Sequence, residues 1–265
     1  MDVAIRHVVV ARRSCAMPAP EHGPGHRRAI PSGFRNGHNG ASSRLPFCPE
    51  TARMSRPTLI CVVRHGETDW NIAGVLQGSL DVPINERGRA QARELAQAFA
   101  DSGFACVYTS PLIRALETAQ VIAALLRLPP PVRHDGLKER NFGVIQGIPK
   151  AELAELNPLL LEQIVKRNPA AVFEQGESMD DCATRILAAI MDIAGRNGGK
   201  AVLVITHGWV MDVLARHANG MPRTAILHVK PKNGECLWLE ATAETVRRLQ
   251  GDFPVHPLTA THRRP

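Results

Sequence analysis

Two histidine–glycine pairs and two arginines carry most of the chemistry this sequence can offer. Arg64-His65-Gly66-Glu67-Thr68 and Thr206-His207-Gly208 each follow directly on an apolar run, and a third run ends in Thr109-Ser110-Pro111 with Arg114 one turn further on. A neutral imidazole is a nucleophile, and a guanidinium is a fork of donors matched to phosphate oxygens. Glycine, lacking Cβ, lets the backbone turn sharply and a ligand come close, and a helix that starts there presents unpaired N–H groups suited to an anion. A lone histidine after an apolar run is more often structural. The repeated pair, with Arg64 beside one copy, reverses that reading and points to a site built for a phosphoryl group.

Those residues need elements that bring them to one place. Residues 58–64 (TLICVVR) are rich in β-branched side chains and bounded by Pro57 and Gly66, which predicts a buried strand. Residues 86–101 place Leu95, Ala98 and Phe99 on a helical face that Gly103 stops. A second strand is expected over 105–109. Pro111 then opens a helix in which Leu112, Ala115, Ala119, Ile122 and Leu126 keep the 3.6-residue period until Pro129. Further helices are expected over 178–195 and 209–217, a third strand over 201–206, and closing strands over 226–230 and 236–240. This alternation predicts an α/β fold: a three-layer sandwich with a mostly parallel central sheet and helices on both faces. Ligands of such sheets bind outside the carboxyl ends of the strands, where both His-Gly pairs fall.

The chain has 265 residues, 44% of them hydrophobic, and a formal net charge of +7, a length that allows one large α/β domain or two small ones with a substantial core. A basic excess of this size raises the question of a nucleic-acid partner. Its distribution answers it: residues 1–55 hold eight arginines against three acids and so carry five of the seven charges, whereas 56–250 hold 22 basic and 21 acidic residues. Residues 1–55 are rich in Pro, Gly and Ser without sustained periodicity, and are expected to be a disordered extension. Three readings stand for that segment: a targeting sequence, a nucleic-acid-binding tail, or sequence added by a start codon placed ahead of Met54. The expected organisation is therefore an extension over 1–55, one domain over 56–250 with a helical insert near 149–176, and a flexible tail over 251–265. No apolar run reaches the roughly 18 residues that span a bilayer, and no export signal opens the chain. A cytoplasmic protein with no membrane partner is expected. The six cysteines show neither a C-x-x-C pair nor zinc-site spacing, and are expected to be free thiols, mostly core filler.

RHGETDWN at 64–71 resembles the signature of the histidine phosphatase superfamily, which includes the cofactor-dependent phosphoglycerate mutases. The likeness continues through QGSLDVPINERG (77–88), YTSPLIRALETA (108–119), LKERNFGVIQG (137–147), GESMDD (176–181) and ITHGWVMDVL (205–214), about 190 residues in all. The resemblance implies that His65 forms a phosphohistidine, that Arg64 and Arg114 bind the phosphoryl oxygens with Asn71, and that His207 is the second histidine of the pocket. It also implies that Glu139 protonates the leaving oxygen and then activates water. Physical chemistry is consistent with those roles. Positive neighbours disfavour a proton on His65, and a bound phosphate beside Glu139 favours the protonated acid. Arginines and helix N–H groups can supply the charge that a metal supplies elsewhere, so no metal and no cofactor are expected.

Blander readings exist for each residue. Glu139 could pair with Arg140 or Lys138 on a solvated turn, and Glu67 and Thr68 could simply cap the next helix. His134, with no following glycine, is expected on an outer strand, and a metal site of His65, His207 and His134 lacks a supporting H-x-x-x-H pattern. The block with Lys150 is similar to that of the mutases, but Phe142 stands where they have tyrosine, and Ala151 to Gln175 offers only Lys166-Arg167 in place of their paired arginines. Those departures favour hydrolysis and the small bacterial phosphatases of the superfamily. The expected function is metal-independent hydrolysis of small phosphate monoesters, with the insert and Trp209 setting the substrate. A phosphoglycerate mutase and a non-catalytic phosphate-binding protein are the alternatives. The expected partner is a small phosphorylated metabolite, not nucleic acid, and a homodimer is left open.

Overall fold

In the computed structural model, which describes residues 56–226 and 233–249, the first apolar run forms β1 (Thr58–Arg64) with the expected bounds. Its side chains alternate between two cores: Ile60 and Val62 join one apolar cluster and Cys61 and Val63 the other, all fully buried. A strand covered on both faces reads as a continuous apolar run, which is why its sequence shows no polar alternation. β2 (Cys106–Thr109), β3 (Val132–Arg133), β4 (Ala201–Thr206), β5 (Cys236–Ala241) and β6 (Val246–Arg248) complete a sheet of order β3-β2-β4-β1-β5-β6. β1, β2, β3 and β4 pair in parallel, and β5 runs antiparallel to both β1 and β6. The strand expected over 226–230 lies outside the described residues, apart from Ile226, and the extension and tail lie outside them altogether.

Helices cover both faces of this mixed sheet. α2 (Glu86–Ala98), which follows the four-residue α1 (Asp69–Ile72), packs with α3 (Ile113–Leu125) over Cys61, Val63, Leu203 and Ile205. α6 (Met179–Arg196) and α7 (Gly208–Ala218) pack on the opposite face over Ile60, Val62, Val202 and Val204. Burial of each such Ile or Val side chain contributes about 1.5–3 kcal/mol. α3 starts two residues after Pro111, because Asp81 Oδ1 takes the Ile113 N–H at 2.8 Å and Ser110 Oγ takes that of Leu112 at 3.2 Å. The insert folds as α4 (Lys150–Leu156) and α5 (Pro158–Val165), the second capped by Asn157 Oδ1 on Leu160 N–H at 3.0 Å. Among the described residues no helix is long and apolar enough to cross a membrane. The four described cysteines are free, two buried and two half-buried.

The functional consequence lies in the register. β1 and β4 are neighbours with Arg64 opposite Thr206, so the residues that follow them, His65 and His207, emerge side by side. α2 lies on one face and α7, which follows β4, on the other, which leaves a crevice between them at the carboxyl edge.

Candidate active site

His65 is 3% exposed and its backbone N–H continues the β1–β4 ladder to Thr206 O at 2.9 Å. Its Nδ1 donates to the carbonyl of Gly66 at 2.7 Å, which leaves Nε2 as the unprotonated nitrogen of the neutral ring. Burial first, then Arg114 and Arg64, holds its pKa well below the ordinary histidine value, while the bond to Gly66 pulls weakly the other way. Proximity of cations was expected to keep the ring neutral; removal from water does more of it.

His207 is fully buried beneath the cavity, with ring centroid 5.2 Å from that of His65 and Nε2 2.8 Å from Ser110 Oγ. Nδ1 of His207 is buried without a hydrogen-bond partner. Its pKa is also held well down, by burial and then by Arg114, His65, Arg64 and Arg185.

Above the histidines lies a cavity of about 250 Å³ lined by Arg64, Arg114, Arg167 and Lys150 against a single carboxylate, that of Glu139. Val75, Phe142, Ile164 and Trp209 form its apolar wall. Arg114 is 1% exposed and is aimed by two loop carbonyls, Leu80 O at 2.7 Å from Nη1 and Gly78 O at 2.6 Å from Nη2. Burial lowers both Arg64 and Arg114 to about 10, so each remains charged at neutral pH. Such a cluster of partly desolvated cations is stabilised by an anion among them.

Glu139 is held from two sides. Its Oε1 accepts the N–H of Arg140 at 3.0 Å and that of Trp209 at 3.2 Å, and Oε2 lies 3.3 Å from the same Trp209 nitrogen. The blander pairing does not occur, since Lys138 Nζ goes to Asp135 at 2.7 Å and the Arg140 guanidinium lies over Phe173 and Trp209, 4.4 and 5.0 Å from the ring centroids. Asn71 lines the cavity, with its backbone N–H and side-chain Oδ1 closing a capping box with Thr68 at 3.1 and 3.2 Å. Capping is thus the role of Thr68.

Two expectations need correction. Gly66 does not admit a ligand: a Cβ there would lie 2.6 Å from Gly88 O, so the glycine lets the end of β1 pack on the start of α2. At the N-terminus of α7 the Trp209 N–H is not vacant for phosphate either, because Glu139 takes it. One residue was missed as a site residue. Arg167, in the insert, reaches the cavity with Nη1 2.5 Å from Gly208 O, while its neighbour Lys166 turns away to Glu162. The only signal for it was the scarcity of basic residues in the insert. His134, expected on an outer strand, lies one residue beyond the edge strand β3 and accepts the Gly136 N–H through Nδ1 at 3.1 Å.

A family model described as the histidine phosphatase superfamily (branch 1) matches residues 60–250. Over 163 residues the chain is 34% identical to an uncharacterized phosphatase, PhoE, of Bacillus subtilis, covering 62% of this chain and 78% of that protein. Over 159 residues it is 38% identical to a metal-independent phosphoserine phosphatase of Arabidopsis thaliana, covering 59% and 67% of the two. Among solved structures it is similar to YhfR of Bacillus stearothermophilus, with TM-score 0.67 and 29% identity over 72% of this chain and 95% of that one.

Proposed function

Because the chain belongs to the histidine phosphatase superfamily, we propose that it is a phosphatase that hydrolyses small phosphate monoesters through a phosphohistidine on His65. The observation that carries this reading is the Nδ1 bond from His65 to Gly66 O beneath a cavity lined by three arginines and one acid. Nε2 attacks phosphorus as the P–O bond to the leaving group breaks, and Glu139 gives that oxygen its proton. The ring, now positive, keeps Nδ1–H on the Gly66 carbonyl. Glu139, left as a carboxylate, takes a proton from water, whose oxygen attacks phosphorus. The P–N bond then breaks, returning its electron pair to Nε2, and phosphate leaves with Glu139 protonated again.

Arg64, Arg114 and Asn71, which line the cavity, are assigned to the phosphoryl oxygens, and His207, which lies behind His65 and outside that lining, is assigned as the second histidine of the pocket. The cations do the electrostatic work, so the scheme uses neither metal nor cofactor. A small phosphorylated metabolite as the substrate and a cytoplasmic setting belong to the same proposal. Hydrolysis of p-nitrophenyl phosphate by the wild type and His65→Ala tests it: activity should vanish in the variant, and equal rates would end the phosphohistidine reading. Conversion of 3-phosphoglycerate with 2,3-bisphosphoglycerate into 2-phosphoglycerate without release of phosphate would instead favour the mutase.

A further inference from the structure

The segment 136–139, which ends in Glu139, makes no sheet ladder, yet its four successive carbonyls are all taken by side chains from other elements. Arg185 of α6 donates through Nη1 to Gly136 O at 3.0 Å and Lys138 O at 2.8 Å, and through Nη2 to Glu139 O at 3.2 Å. The remaining carbonyl, of Leu137, accepts from Thr206 Oγ1 at 2.8 Å, one residue before His207. Arg185 is itself locked by a bidentate pair with Glu177, Nε to Oε1 at 2.5 Å and Nη2 to Oε2 at 2.7 Å. Glu177 in turn is tied to the segment just beyond Glu139, its N–H on Asn141 O at 2.9 Å and its carbonyl accepting from Arg140 Nε at 3.0 Å.

The approach of this segment to α6 is close. A Cβ on Gly136 would sit 2.6 Å from the Cβ of Ala189, so nothing bulkier fits between. The Arg185 and Glu177 side chains are only 26% and 16% exposed, so this ion pair keeps its geometry better than a surface pair would. Neither residue lines the cavity above His65.

We propose that Arg185, braced by Glu177, is the positioning residue for Glu139: it fixes the backbone from which the carboxylate reaches the leaving-group oxygen. The clamp rests on the acid role given to Glu139 above. His65, Arg64 and Arg114 are set without it, by β1, its register with β4 and the loop 78–80, and the charge of Arg185 also felt by His207 should weigh on both substrates alike. Its signature is therefore a dependence on the leaving group. An alkyl oxygen needs the proton of Glu139, whereas p-nitrophenolate departs largely without it.

The test compares kcat/KM for an alkyl phosphate, glycerol 2-phosphate, with that for p-nitrophenyl phosphate in the wild type, Arg185→Gln, Glu177→Gln and Glu139→Gln. Displacement of a catalytic group by an ångström costs up to roughly a hundredfold. Arg185→Gln should lose about ten- to a hundredfold more on glycerol 2-phosphate than on p-nitrophenyl phosphate, and should add little when combined with Glu139→Gln. Equal losses on both substrates, or none, overturn the clamp. If Arg185→Gln does not fold, Glu177→Gln decides by the same ratio. If Glu139→Gln itself treats both substrates alike, the acid assignment falls and the clamp falls with it. A selective loss in Glu139→Gln but not in the other two sinks the clamp alone.

Discussion

The carboxylate of Glu139 accepts the backbone N–H of Trp209, two residues beyond His207, so the acid and the second histidine are fixed by one short stretch at the start of α7. Glu139→Gln keeps an acceptor for that N–H but has no proton to give. Its kcat/KM on an alkyl phosphate should fall by about 10² to 10⁴, with the melting temperature near that of the wild type. Glu139→Ala should show the same catalytic loss and also cost about 0.5–2 kcal/mol, by stripping the first turn of α7 of its acceptor. Enzyme assays with calorimetry on both variants separate the two effects.

Stability should fall on the acid side of neutrality. His65 and His207 have depressed pKa values in the folded chain, from burial first and neighbouring arginines second, so the unfolded chain takes up protons below about pH 6.5 that the folded one does not. The stability they allow is complete above that pH and is lost as the pH drops through it. Asp212 works in the opposite direction: burial lifts it to about 6, so between pH 6 and about 4 the folded state gains a proton first and part of the loss is offset. Urea midpoints at pH 7.5 and 5 should therefore decrease, with a smaller decrease in His207→Gln. A midpoint that stays level or rises would contradict this balance.

Gly66→Ala tests the packing of β1 on α2. The added methyl would meet Gly88 O at 2.6 Å and Gly88 Cα at 2.9 Å, and backbone cannot swing aside as a long side chain can. We expect a loss of about 1–3 kcal/mol together with a lower kcat, because the carbonyl that holds His65 Nδ1 belongs to the same residue. An unchanged melting temperature would show that the close contact relaxes freely.

Removal of residues 1–53 should leave the phosphatase activity and the melting temperature as they are. The sheet begins at Thr58 and the family match at residue 60, both beyond the basic segment. A marked fall in melting temperature after the removal would mean that the segment packs on the domain.

What the sequence revealed about the site follows from what periodicity can encode. β1 and β4 are buried apolar runs with a sharp end, so the residues after them could be located, and their parallel pairing brought His65 and His207 together as expected. β6 escaped notice because a strand of three residues, two of them exposed, carries no apolar pattern. The partners of Glu139 and the placement of Arg167 escaped for another reason. The Trp209 bond to Glu139 and the Gly208 bond to Arg167 join residues 70 and 41 apart, and a sequence records the residue types at both ends without the contact. Arg140 and Arg185 look in the sequence like ordinary surface charges; only the fold turns one into a fully buried plug and the other into a brace.

The register of Arg64 against Thr206 also sets how the site responds in time. Beneath the cavity, both histidines hang from paired strands in the centre of the sheet, whose amides should exchange with solvent only when the whole domain opens. Above it, α4 and α5 bury just Leu153 and Ile164 and leave Leu156 and Leu159 66% and 71% exposed, so their amides should exchange through small local openings. Hydrogen exchange should thus resolve two clocks in one pocket: a slow one for the strands that carry the two histidines, and a fast one for the helices of the insert.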